Sequence, residues 1–335
     1  MIDGYWTGKI IEKLRLKMEL RKRRITDDPA ILEKVKRRWI PYTACKQECV
    51  TIAVDGSCND DDYETQNPFI VGAKAMDITG KVINQIYDCD VQPESRNHLI
   101  SVMNNFEVQI AESLLQKSSS DAPRPLFILI DGSFMSWIFN LRDLSNETKH
   151  DVNAIMEHFL NLVKEYTKMH QVMILFISKN SDSKTLSRTL NIPKDRDVFY
   201  YNQVSNNETG YSFPDQDREP FDRFGVTGIV LYTRLKPYHS MLKLEFVNTS
   251  GNILSGTELE DLATKDIPKI LDKLSYDCSD GYPFTLALVH QHCAIKKEEL
   301  GKIISLAGGI NDDNQARAVL GEDNNENFGQ GELSH

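Results

Sequence analysis

Two carboxylates occupy matching places in this chain, each directly after an apolar run and directly before Gly-Ser. Asp55 follows Val50 to Val54, and Asp131 follows Leu126 to Ile130. A continuous apolar run of about five residues reads as a strand buried on both faces, and the glycine after each acid reads as the turn that ends it. Two acids at the ends of neighbouring core strands repel each other and lose hydration, so a cation between them is the simplest arrangement that tolerates them. Hard carboxylate oxygens suit Mn²⁺ or Mg²⁺, and two such ions stabilise both the attacking water and the leaving oxygen in phosphodiester cleavage. Capped turns are the competing reading, because Asp-Gly is a common turn pair.

A third ligand is expected from the helix between the two motifs. Its apolar stripe is Leu99, Met103, Phe106, Ile110 and Leu114. At about 100° per residue, Glu107 lies roughly 60° from the stripe's centre and Glu112 roughly 200° from it, so Glu107 should reach the sheet and Glu112 should face water. Near the C-terminal end, Tyr282 and His290 are eight residues apart, a little over two turns, which puts them on a similar side of one helix. His290 beside a metal-bound phosphate would coordinate an ion, hold the phosphate or protonate the leaving oxygen, and Tyr282 would bond the phosphate or stack on a base. An ordinary packed histidine is the alternative; His292 should face elsewhere. Lys179 directly follows an apolar run and is either a phosphate contact or a surface lysine.

These residues need a sheet to position them. Strands are expected at 50–54, 69–78, 81–89, 126–130 and 172–177, with Gly80 turning the second into the third and helices at 94–117 and 151–170. The order β-β-β-α-β-α-β is the ribonuclease H-like arrangement, a mixed sheet whose crossovers join parallel strands. An amphipathic helix at 7–24 and a second one after Asp28-Pro29 precede the sheet. Beyond it, 202–224 reads as a polar loop. Strands at 226–233 and 241–247 follow, joined by the basic Arg234-Leu-Lys236-Pro connection, then helices at 257–275 and 281–305. The division is a basic helical arm over 1–42, a ribonuclease H-like body over 43–305 and an acidic, disordered tail over 306–335.

With 335 residues and 40% hydrophobic content, the chain buries a sizeable core. No apolar run approaches the roughly 20 residues of a membrane span, and the expected setting is cytoplasmic. The six cysteines are scattered; the Cys45 and Cys49 pair has no second pair to make a zinc knuckle, and reduced thiols are expected. The net charge of −10 argues against nucleic acid until its distribution is read: residues 1–40 hold 12 Lys and Arg against 6 Asp and Glu, a local +6 that leaves −16 on the rest. Arg21, Lys22, Arg23 and Arg24 form one cluster; Lys34, Lys36, Arg37 and Arg38 form another. This is either a phosphate-tracking footprint or a solvated or dimerising helix.

Six segments in order resemble one family: VDGS at 54–57, FEVQIA at 106–111, LIDGS at 129–133, FISKN at 176–180, YTRLK at 232–236 and GYPFTLALVH at 281–290. The chain resembles NurA, the archaeal nuclease that partners the hexameric HerA ATPase in DNA end resection. The resemblance implies a ribonuclease H-like, Mn²⁺-dependent deoxyribonuclease, a 5′–3′ exonuclease and single-strand endonuclease that works with HerA on single- and double-stranded DNA ends in double-strand break repair by homologous recombination. It implies a homodimer with a central DNA channel. Asp55, Glu107 and Asp131 match the family's acidic residues, and Tyr282 and His290 its Tyr and His. The polar stretch Ser118 to Arg124 is longer than the family's. Two other readings stay open. One is an actin-like ATPase, for which only Gly308-Gly309 offers a glycine pair; the other is a non-catalytic DNA-binding or ATPase-stimulating adaptor.

Overall fold

The computed structural model describes residues 10–17, 28–60, 68–91, 96–118, 126–135, 138, 146–168, 172–179, 181–217, 224–249 and 252–309. The basic cluster Arg21 to Arg24, most of the polar stretch Ser118 to Arg124 and the acidic tail from 310 lie outside these described residues.

One mixed sheet organises the chain. Its strands are β1 (Trp39–Pro41), β2 (Val50–Asp60), β3 (Pro68–Asp77), β4 (Val82–Val91), β5 (Leu126–Asp131), β6 (Val172–Ser178), β7 (Gly210–Ser212), β8 (Asp215–Asp217), β9 (Thr227–Arg234) and β10 (Leu242–Asn248). Across the sheet they run β1-β7-β9-β10-β6-β5-β2-β3-β4, with β8 also on β9. Among the described residues, only β2 with β5 and β5 with β6 are parallel; β3 and β10 flank that trio antiparallel. The two parallel joins are helical crossovers, as parallel pairing requires. Helix α1 spans residues 10–17; α2 (Pro29–Lys36), α3 (Arg96–Ser118) and α4 (Asn146–Lys168) follow, so β2-β3-β4-α3-β5-α4-β6 is the β-β-β-α-β-α-β order read from the sequence.

Apolar residues on both sides of each central strand explain why this sheet is covered on both faces. Val54, Ile128, Ile130 and Phe176 enter one core with α3 and α4. Ala53, Phe127, Leu129 and Leu175 enter the other, with α8 (Ile267–Tyr276) and α9 (Phe284–Cys293). Short helices α5 (Thr185–Leu190), α6 (Asp197–Ser205) and α7 (Gly256–Asp261) complete the layers, and α10 (Lys297–Gly309) follows α9.

Five expectations change. The strand at 50–54 does not end at Asp55-Gly56-Ser57 but continues to Asp60, because β3 pairs with it as far as Asp60 opposite Phe69. Segment 202–224 is not one polar loop: α6 runs into it, and β7 and β8 are three-residue strands that add to β9. The helix expected at 257–275 has a π-helical turn at Leu262–Asp266 between α7 and α8. The helix expected at 281–305 is two helices, because Ala294 is extended (ψ 115°) after α9. Arg38 does not extend the basic footprint: its Nη2 is 2.6 Å from Asp215 Oδ1, inside the fold.

Asp28 caps α2 with its side chain, accepting from Ala30 N and Ile31 N, with Pro29 in the first turn as expected. Among the described residues, no helix is long and apolar enough to cross a membrane.

Candidate active site

Strand register alone puts two acids side by side. Val54 pairs with Ile130 in parallel, so Asp55 and Asp131 follow on adjacent strands and, by alternation, point to the face covered by α9. Helix α3 lies over the opposite face, yet Glu107 joins them. It does so at Gly56. A Cβ there would lie 2.5 Å from Met103 Cγ and 2.7 Å from Glu107 Oε1, so the missing side chain is what lets the Glu107 carboxylate approach the strand. Gly56 is therefore a gap in mid-strand rather than a turn. Gly132 is the turn: its φ is 109°, and β5 ends beside it.

A cavity of about 610 Å³ brings together all six residues singled out in the sequence: Asp55, Glu107, Asp131, Lys179, Tyr282 and His290. Glu107 is 3% exposed and Asp55 6%. Burial, then repulsion from Asp131, pushes the Asp55 pKa up to about 6, against the opposing pull of His290. Burial holds Glu107 well above the usual carboxylate range, and the charges of Asp55 and Asp131 add to it. Asp131 is raised by burial too, while the Tyr282 hydroxyl, His290, the Gly132 N–H and Lys179 oppose the shift. Three acids that share one cleft thus hold protons at higher pH than isolated carboxylates. Glu112, expected in water, is half-buried instead. Its Oε1 lies buried without a hydrogen bond, and burial raises its pKa against the charge of His158 on α4.

His290 Nδ1 lies 2.8 Å from Asp55 Oδ2 and 3.7 Å from Asp131 Oδ2, with its side chain 65% exposed. The Tyr282 hydroxyl donates to Asp131 Oδ1 at 3.2 Å. Tyr282 is not on the helix that carries His290: Pro283 precedes α9 as its N-cap residue, and Tyr282 stands in the segment before it. Two adjacent elements, not one helical face, bring the pair together. Lys179 Nζ sits 3.5 Å above the Tyr282 ring centroid, so one face of that ring already holds a cation.

The support beneath Asp131 escapes sequence reasoning. Ser178 Oγ donates to Gly132 O at 2.7 Å, and Gly132 N donates to Ile177 O at 2.9 Å. Ser133 Oγ donates to Glu245 Oε1 at 2.8 Å and Met135 N to Glu245 Oε2 at 3.1 Å. Glu245 is ion-paired with Lys243, both side chains 4% exposed, and Lys243 Nζ donates to Ser133 Oγ at 3.3 Å. A buried ion pair offsets its desolvation only with such additional bonds. The alternation Leu242-Lys243-Leu244-Glu245 is the available signal. It reads as one solvent-facing side, because sequence does not reveal that β10 lies in mid-sheet.

Asp55, Asp131 and His290 each offer a ligand atom, all within 4.8 Å of one another. Carboxylate oxygens with one imidazole nitrogen suit Mn²⁺. The repulsion among the buried acids is what a divalent cation relieves, so the residues fit a metal centre.

The NurA domain family matches residues 49–295. Among solved structures, the NurA nuclease from Sulfolobus solfataricus superposes with a TM-score of 0.67 at 18% identity, over 92% of this chain and 97% of that one. A structure of NurA with manganese gives 0.58 at 12% identity, over 91% and 99%. NurA bound to dAMP and manganese gives 0.54 at 12% identity, over 93% and 99%. These likenesses are of fold. No curated protein matches the sequence.

Proposed function

The chain belongs to the NurA family, and from that premise we propose that it is a Mn²⁺-dependent deoxyribonuclease with a ribonuclease H-like catalytic sheet. The observation that carries this reading is the convergence of Asp55, Asp131 and His290 within 4.8 Å beside Glu107. Asp55, Glu107, Asp131 and His290 would hold Mn²⁺, with Mg²⁺ as a substitute and two ions as the full complement. When bound, the ions activate water and neutralise charge on the phosphate.

The remaining work falls to side chains. The Tyr282 hydroxyl orients the Asp131 carboxylate, and the Ser133–Glu245–Lys243 group braces the turn that follows it. His290, whose Nδ1 lies against Asp55 and whose side chain is otherwise exposed at the cleft, would either coordinate an ion or serve a phosphate oxygen or the leaving oxygen. Lys179, on the rim, attracts the DNA backbone. In its finer form the reading is a homodimeric 5′–3′ exonuclease and single-strand endonuclease that processes DNA ends with the HerA ATPase.

Cleavage of end-labelled single- and double-stranded DNA with Mn²⁺, Mg²⁺ or EDTA tests it. Wild type should cut with Mn²⁺ and not with EDTA, and Asp55→Ala should lose about a thousandfold or more of the rate, as loss of a metal ligand removes the ion's chemistry. A wild type that binds DNA but never cuts it would favour the adaptor instead.

A further inference from the structure

The start of β10 pairs with the end of β6, Lys243 opposite Ser178, so the β9–β10 turn lies at the same end of the sheet as Asp131 and Lys179. That turn puts Tyr238 in solvent, 84% exposed, at a φ of 63°. A bulky residue rarely adopts this left-handed backbone, and it does so only where the surroundings enforce it. Here they do. Arg234, 2% exposed, donates from Nε to His239 O at 3.0 Å and from Nη1 to Ser205 Oγ at 2.6 Å, with Nη2 on Asn202 Oδ1. Tyr238 N donates to Asn207 O at 3.0 Å.

The same turn grips the segment that leads into Tyr282. Lys236 Nζ donates to Ser279 O at 3.1 Å and to Asp280 Oδ1 at 3.2 Å. Gly281, at φ 72°, comes so near His239 that a Cβ would lie 2.7 Å from His239 Cβ. A hydrogen-bonded tip therefore holds an aromatic ring in water at the sheet end that carries Asp131, with no packing among the described residues to account for it.

We propose that Tyr238 is a stacking platform for a base of single-stranded DNA on its way into the cleft. The proposal rests on the nuclease reading above. The held backbone fixes where the ring projects from, Tyr has only two side-chain torsions to order on stacking, and every base offers a π-face, so the contact favours single strands without reading sequence. The duplex hides those faces, which makes Tyr238 a determinant of strand preference rather than of chemistry.

Binding of a fluorescein-labelled single-stranded oligonucleotide to the full chain in EDTA, followed by anisotropy, tests this with Tyr238→Gly and Tyr238→Trp. Glycine fits the left-handed backbone and removes only the ring. It should weaken single-strand binding about 5- to 150-fold, the range set by removal of one stack, with the melting temperature unchanged or higher. KM for single-stranded substrate should rise while kcat stays put. Tryptophan should restore binding, and its fluorescence should be quenched by the strand. If Tyr238→Gly binds and cuts like wild type, the platform is wrong and the nuclease reading stands; if that variant instead loses self-association, the ring is a protein contact. If the unaltered protein neither binds nor cuts DNA, both readings fail together.

Discussion

Asp55, Glu107 and Asp131 oppose folding in the metal-free protein, because each is held above its usual pKa in one cleft. Asp55 titrates near pH 6 in the folded chain, against about 3.9 when unfolded. The folded state therefore binds more protons between those values. The stability contributed by this group is complete below about pH 4 and is lost as pH rises through about 6. Asp55→Asn should thus melt several degrees higher than wild type at pH 7 without metal, and the two should converge near pH 4. Mn²⁺ should reverse the order at neutral pH, because an ion that binds only the folded state raises wild-type stability with its concentration, whereas the variant lacks the ligand. A differential scan with and without Mn²⁺ at both pH values reads all four points; an Asp55→Asn protein that melts lower than wild type without metal would show that repulsion is not what the site stores.

Elements decide which residues can meet, and Gly56 is where an element gives way. Gly56→Ala places a methyl 2.5 Å from Met103 Cγ and 2.7 Å from Glu107 Oε1, so α3 must shift or Glu107 must swing out. Cleavage should fall at least about tenfold, the cost of a displaced ligand of the order of 1.4 kcal/mol or more. Circular dichroism should stay that of wild type, because β2 keeps its pairing to β3 and β5. Normal activity in that variant would mean that Glu107 does not need the gap.

Sequence discloses this site unevenly, for physical reasons. Val50 to Val54 and Leu126 to Ile130 are legible as core strands because buried parallel strands are apolar on both faces, and the stripe on α3 fixes the phase of Glu107. Gly56 reads as a turn because Asp-Gly looks alike in a turn and in a strand whose partner lies elsewhere. Glu112 falls to water by its helical phase, which knows nothing of α4 packing beside it. Strands β7 and β8 carry no periodicity over three residues and exist because distant strands pair with them, β9 with both and β1 with β7. The Lys243–Glu245 pair looks like a wet face, since burial of β10 comes from elements far along the chain.

At the scale of the molecule, charge is divided: a +6 N-terminal segment of 40 residues on a body of −16. The part within the described residues is joined to the body, since β1 pairs with β7 and Arg38 with Asp215. The cluster Arg21, Lys22, Arg23 and Arg24 should act on DNA capture, not on chemistry. Replacing all four with Gln should flatten the fall of log affinity with log salt, by roughly 0.9 for each duplex phosphate the cluster neutralises, while single-turnover cleavage of bound substrate stays near wild type. An unchanged slope in an anisotropy titration would assign the cluster to another surface.

The Asp55–His290 contact spans 235 positions of the chain. At about 5 to 20 residues per second of synthesis, His290 leaves the ribosome roughly 10 to 50 seconds after Asp55. Until then the growing polypeptide owns half a blade: Asp55 and Asp131 on two strands and Glu107 on the helix between them, with neither Tyr282 nor His290 to complete them. On the nuclease reading proposed above, a message broken before codon 282 should yield a chain that lacks both the Asp131 hydrogen-bond partner and the Asp55 partner of the cleft.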